Sequence, residues 1–429
     1  MRRLSLIHLA LATLAFGAGA ESLAIVGGTV HPVTAEPFVG TVVVDGGVIT
    51  AVGSDVAVPA GATTIDATGL HVYPGLMDAF GEVGLVEVSA VSATDDRAEM
   101  GMYNPHLDAA FAVHPASELF GVTRANGVTH GIVSPRTDRD GVIAGRASLM
   151  QFDGWTVEEM AVERSAAMVL SWPEIVTRRF DFATFSVKES PYNDAKEEAE
   201  KKQNELRDWF DAARQYRQAM QIDRPRAGRD LKLAHLAACL DGGLRVVIQA
   251  NSKRDIEAAI AFAEKENLRL ILAGCREGWK MAATIAEKKI PVILGAVQTT
   301  AEEDDDPYDT PYRNASVLVE AGVQIAFGSF GSAHSARLLP HEADMAVAFG
   351  LSSEVALKAL TLWPAQIFGV EDRLGSIETG KIATLIVSTG DPLTLESTVV
   401  HLLIDGHEVS TENRHLALYE KYRSRPMSH

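Results

Sequence analysis

Seven polar residues stand where apolar runs stop: Glu82, Gln249, Asn251, Arg276, Ser329, His334 and Arg337. Glu82 follows "GLMDAF", Gln249 and Asn251 end "LRVVIQAN", Arg276 follows "LRLILAGC", and the last three lie in and after "VQIAFGSF". A carboxylate and an imidazole at the same end of neighbouring strands can share a proton, so Glu82 and His334 form the candidate acid–base pair. The amides, the hydroxyl and the two guanidinium groups would orient a small polar ligand, making Gln249, Asn251, Arg276, Ser329 and Arg337 the candidate binding set.

Other possible signals are weaker. "GVIAGRASLMQFDGW" has loose glycine spacing but lacks the Gly-Lys-Ser/Thr ending that would hold a phosphate. No Gly-x-Ser-x-Gly elbow is present, and neither Cys239 nor Cys275 has an evident histidine partner. Both cysteines sit in apolar surroundings that suit buried thiols, with a disulfide as the alternative. His106, His114 and His130 have no ligand-type spacing and read as structural or surface residues. The run Glu302 to Asp306 lacks the glycine and spaced ligands of a calcium loop and reads as a solvated turn.

The elements that must position these residues follow from periodicity. Eight apolar strand candidates are separated mostly by amphipathic stretches: "GLMDAF", "GVTHGIVSP", "ASLMQF", "AAMVLSW", "LRVVIQA", "LRLILAG", "IPVILGAV" and "VQIAFGSF". This alternation predicts a parallel (β/α)₈ barrel over 74–370, with a doubly wound open sheet as the structural alternative. In such a barrel, reactive groups lie at the carboxyl ends of the strands. Val-, Gly- and Thr-rich hairpin patterns in 21–73 and 371–412 predict a small β-sandwich built from both chain ends, followed by a tail over 413–429. A charged helix over 192–220, with a stripe at Leu206, Trp209, Phe210, Ala213, Tyr216 and Met220, interrupts the alternation. It reads equally as a cap or dimer contact at the mouth and as a helix on the barrel's exterior.

Composition bounds the class. The 429 residues are 47% hydrophobic and 22% charged, with a formal charge of −18. That acidity argues against nucleic acid and anionic membranes as partners. Residues 1–20 combine Arg2 and Arg3, an apolar run and Ala18-Gly19-Ala20, the pattern of a cleaved export signal, so the expected location is secreted or periplasmic.

The stretches "HVYPGLMDAF", "PVILGAV" and, above all, "GLSSEVALKALTLWPAQIFGVEDRLGSIETGKIATLIV" make the chain resemble the amidohydrolase superfamily, in its imidazolonepropionase and prolidase-like branch. The resemblance spans about residues 22 to 412. It implies a hydrolase of C–N bonds in small amides, cyclic amides or dipeptide-like molecules, with one or two divalent metals such as zinc. In the family, a His-x-His pair lies on the first strand, a Lys or Glu on the fourth, a His on the fifth and on the sixth, and an Asp on the eighth. The corresponding positions here are Phe80 and Glu82, Gln249, Gly274 and Phe330, while Glu174 lies slightly beyond the fourth-strand position. The resemblance therefore carries two expectations. One is an exported hydrolase whose metal site is largely replaced. The other is an inactive relative that binds a small amide-like ligand, forms a homo-oligomer or partners an active paralogue.

Overall fold

In the computed structural model, residues 22–138, 140–181, 184–222 and 228–426 are described. The expected export signal lies outside the described residues, and no described helix is long and apolar enough to cross a membrane.

The chain opens with β1 (Leu23–Val30), β2 (Phe38–Asp45), β3 (Val48–Gly53), β4 (Thr63–Asp66) and β5 (His71–Pro74). β1 to β3 form an antiparallel meander, and the β2–β3 turn places Gly46 and Gly47 at φ 58° and 80°. Glycine occupies this left-handed region at little cost, which fixes the hairpin register.

The central barrel comprises β6 (Leu76–Gly81), β7 (Val128–Val133), β8 (Ile143–Gln151), β9 (Ala161–Ser171), then β12 (Val246–Ala250), β13 (Leu270–Gly274), β14 (Val292–Leu294) and β15 (Ile325–Phe327). A small hairpin, β10 (Arg178–Asp181) with β11 (Ser186–Glu189), projects between the two halves. The barrel sheet runs in the order β15-β14-β13-β12-β9-β8-β7-β6. Phe330 N–H donates to Phe80 O at 2.8 Å, and Glu82 N–H donates to Gly331 O at 2.8 Å. These two bonds draw the ends of the sheet together, so the barrel is nearly closed.

One strand departs from the all-parallel expectation. β8 is antiparallel to both β7 and β9. The physical reason is linker length: the segments before and after β8 are too short for the crossover a parallel neighbour requires. The apolar content of "ASLMQF" marks it as a buried strand but carries no information on direction.

Met77, Ala79, Ile132, Leu149, Val247, Ile271 and Ile293 fill the barrel's interior cluster, which also includes Ile367 and Phe368 of the helix Leu362–Phe368. An outer cluster joins the strands to the surrounding helices. In the helix Lys253–Lys265, Ile256, Ala259, Ile260 and Ala263 supply a stripe at helical spacing, and Ser252 caps the start by accepting from Asp255 N–H.

The long helix spans Tyr192–Ile222 and packs on the barrel's flank. Leu206, Phe210 and Ala213 are buried, and Phe210 meets Phe262 edge-on with ring centroids 5.3 Å apart. Its first half also borders the mouth, where Gln203 Nε2 donates to Pro173 O at 3.1 Å. The exterior reading therefore describes most of the helix.

The chain end returns through β16 (Leu385–Ser388), β17 (Val399–Ile404) and β18 (His407–Glu408). β16 pairs antiparallel with β5, so strands from both ends share one sheet. Its far edge curls back: Ile49 N–H donates to Lys381 O and Gly380 N–H to Ile49 O. Ile25, Val42, Ile49, Leu385 and Leu403 form its core. Cys239 and Cys275 are both free and buried, and burial pushes the Cys239 thiol up to about 12.

Candidate functional site at the barrel mouth

Every barrel strand except β8 delivers its last residues to one end, and β6 delivers an acid pair of unequal surroundings. Asp78 is fully buried; its Oδ2 accepts from Ser329 Oγ at 2.5 Å, and its Oδ1 accepts from Ser329 N–H at 2.9 Å and Phe80 N–H at 3.2 Å. Burial raises its carboxyl to about 6, against the pull of these donors. Asp78 therefore ties β6 to the loop after β15, as its place at the strand end suggests. Ser329 is committed to that bond and lines none of the mouth cavities described below.

Glu82 is nearly enclosed, and its Oε2 accepts from Arg97 Nη1 at 3.1 Å. Burial raises its carboxyl above the ordinary range, while Arg97 and Arg136 oppose the rise. Arg97 also grips Asp95 through Nε at 2.7 Å and Nη2 at 2.5 Å. His334 is exposed and hydrogen-bonds to Ser332 at 3.3 Å and Ser335 at 3.1 Å. The expected Glu82–His334 proton pair does not form: the carboxylate is held by a guanidinium, and the imidazole faces solvent among serines.

Gln249, Asn251 and Arg276 do come together. They line a cavity of about 260 Å³ with Thr299, Asn314 and Phe330. Arg276 Nη1 donates to Glu302 Oε2 at 2.8 Å and Nη2 to Thr299 Oγ1 at 3.2 Å. Asn314 is buried and donates from Nδ2 to Cys275 O at 2.9 Å, while its Oδ1 has no partner. A second cavity shares Gln249 and Asn251 and adds Glu174, Asp140, Asp255, Arg179 and Lys202. Burial, with Asp255 and Glu302 nearby, raises the Glu174 carboxyl. The acidic run is ion-paired at both ends, Glu302 with Arg276 and Asp306 with Lys280.

Arg337 lies elsewhere. Its Nη1 donates to His415 Nδ1 at 3.0 Å, and it lines a separate cavity against the chain's last segment. Its expected place in the mouth is corrected: the short helix Ala333–Ala336 carries the chain away from the β15 loop.

The positions that resemblance assigns to metal ligands hold two phenyl rings. Phe80 and Phe330 stack with centroids 4.7 Å apart, and Phe330 adopts φ 48°, an uncommon left-handed conformation for a bulky residue. Gly328 lies beneath them; a Cβ there would stand 2.9 Å from the Phe80 Cβ. At Gly274, φ 86°, a Cβ would meet Asn251 Oδ1 at 2.4 Å, so the amide occupies the space a sixth-strand side chain would need. Phenyl rings cannot ligate, and glycine offers no donor. Among the described residues no three His, Cys, Asp or Glu side chains gather closely enough to hold an ion. The residues present do not fit the divalent centre of the family.

This arrangement predicts that restoring the sixth-strand histidine alone is harmful. Gly274→His combines a left-handed φ with overpacking against Asn251 and is expected to lower stability by about 2–4 kcal/mol. Urea denaturation compared with the parent measures it, and an unchanged midpoint would refute the crowding.

Asn314 and Thr299 contribute to the mouth without standing out in the sequence. Asn314 lies within a helical stretch and Thr299 before the acidic run, so only the three-dimensional turn of β13 and β14 reveals them. Glu174 was displaced from its expected position by the residues following β9.

The layout is that of an amidohydrolase-type barrel with its accompanying end sheet. The amidohydrolase family profile matches residues 308–409. An amidohydrolase from Thermotoga maritima MSB8 superposes with a TM-score of 0.78 at 27% identity, covering 90% of this chain and 99% of that one. A prolidase crystallised with N-methylphosphonate-L-proline shares the fold, with a TM-score of 0.54 at 17% identity over 90% of this chain and 99% of its own. The amidohydrolase tasK of Hapsidospora irregularis is 23% identical over 407 residues, 86% of this chain and 40% of the relative's length. The chain thus spans well under half of that curated relative. In fold, and in the sequence of its carboxyl-terminal part, the chain is similar to the amidohydrolase superfamily.

Proposed function

We propose that the protein receives in its barrel mouth a small molecule bearing an amide and a carboxylate, of the kind whose C–N bond its superfamily hydrolyses, and that it holds this molecule without a metal-activated water. The observation that carries this reading is the Phe80–Phe330 stack at two ligand positions. Gln249, Asn251 and Asn314 match an amide's donors and acceptors, and Arg276 can exchange Glu302 for a ligand carboxylate. Purified protein should contain far less than one metal per chain, bind N-acyl amino acids or dipeptides, and lose that binding in Gln249→Ala and Arg276→Ala, as calorimetry would record. Stoichiometric zinc with chelator-sensitive hydrolysis would overturn it.

Turnover without the family's metal centre is the second reading, favoured by Glu174. This carboxyl has a raised proton affinity and lines the cavity that shares Gln249 with the first. Such a group can take a proton from an attacking water. If a dipeptide panel reveals hydrolysis, Glu174→Gln should abolish kcat with little change in KM. Export is proposed from the basic, apolar and small-residue pattern of residues 1–20, and cell fractionation tests it.

A further inference from the structure

The displaced Arg337 points to a second site. It lines a cavity of about 360 Å³ with His341, Ser397, His415, Leu395 and Leu416. This cavity shares no lining residue with the mouth. It lies between the segment after β15 and the residues flanking β17 and β18.

The guanidinium there is short of partners. Among the described residues Arg337 makes no ion pair, although the chain carries 57 acidic side chains against 39 basic ones. Its one side-chain hydrogen bond runs from Nη1 to a neutral acceptor, His415 Nδ1, at 3.0 Å. Because arginine only donates, that bond fixes the His415 proton on Nε2 and makes the ring a second donor. Arg337 Nε and Ser397 Oγ are both buried and without a partner. His341 Nδ1 donates to Leu393 O at 3.0 Å, which orients its ring at the same cavity. Enclosed donors without acceptors carry a free-energy cost, and a half-buried arginine lacking a carboxylate is the larger anomaly.

The rim supplies the other half of the chemistry. Leu395 is 78% exposed and Leu416 49% exposed beside this cationic group. We propose that the cavity binds a small carboxylate on an apolar stem, the carboxylate on Arg337 and the stem between Leu395 and Leu416. The ligand is distinct from the mouth's own ligand and does not depend on the reading given for the mouth.

The test is calorimetric titration of the full chain with 4-methylpentanoate, a carboxylate on an apolar stem that lacks the amide the mouth would read, with inorganic phosphate as the comparison anion. Saturable binding of 4-methylpentanoate is expected, weakened roughly tenfold or more by Arg337→Met. That variant keeps the stem and leaves the backbone carbonyl that Asn126 bonds at 2.8 Å. Arg276→Ala, at the mouth, should leave this binding event in place, and Arg337→Lys should retain part of it. A circular-dichroism melt checks that each variant is folded. No saturable binding overturns the proposal, as does equal affinity in Arg337→Met. Loss of the signal in Arg276→Ala alone would assign the anion to the mouth and refute the second site. Phosphate binding as tightly as 4-methylpentanoate would overturn the apolar-stem part of the proposal.

Discussion

Asp78→Asn and His130→Asn are expected to tilt the pH dependence of stability in opposite directions. The two residues lie on adjacent strands, where Met77 pairs with His130 and Asp78 with Gly131. Burial raises the Asp78 carboxyl from 3.8 to about 6 and lowers the His130 imidazole from 6.5 to about 3. For Asp78 the raised folded value means a stabilising contribution that is full below about pH 4 and is lost as pH rises through 6. For His130 the lowered folded value means a contribution that is full above about pH 6.5 and is lost as pH falls toward 3. Between pH 4 and 6 the two slopes, each about 1.4 kcal/mol per unit, oppose one another. Asp78→Asn leaves the histidine slope, so stability should rise by about 2–3 kcal/mol across that window. His130→Asn leaves the aspartate slope and should show a fall of similar size. Urea unfolding at several pH values measures both. Parallel curves for the two variants would show that these buried groups do not titrate as their surroundings dictate.

Phe80→Ala carries the second large effect. The ring is 3% exposed, stacks on Phe330 and belongs to the barrel's interior cluster. Truncation removes the transfer energy of a phenyl group and leaves a void that the strand backbone cannot close. A loss of about 3–5 kcal/mol is expected. The same change uncovers the floor of the mouth. Chemical denaturation gives the first quantity, and a loss below 1 kcal/mol would mean that the stack contributes little packing.

The strands were legible because burial on both faces writes continuous apolar runs, as in "VVIQA" and "LILAG". The long helix was legible for the complementary reason, a stripe at helical spacing on a charged background. The direction of β8 was not, since direction is set by linker geometry and leaves no mark on the apolar run. At the site, the replacements at Phe80, Gln249, Gly274 and Phe330 could be read one by one, and Gln249, Asn251 and Arg276 do share a cavity. Which carboxylate is free could not be read. Glu82 lies at the expected strand end, but Arg97, fifteen residues on, takes its charge, and a contact of that kind depends on how a loop folds back. Arg337 was misplaced for a related reason: a single helical turn after β15 suffices to carry a side chain off the mouth.

The pairing of β5 with β16 bears on the order in which the molecule can be completed. β5 hydrogen-bonds to a strand near the opposite end of the chain, and the β2–β3 turn rests against residues 380–383 and 405. As the chain is synthesised from its amino end, this first-made sheet lacks three of its eight strands until β16 to β18 emerge. The barrel between them must form while an unfinished β edge waits, an edge prone to pairing with other chains. The same arrangement makes the two ends of the protein one cooperative unit, so trimming β16 to β18 would release the amino-terminal strands as well.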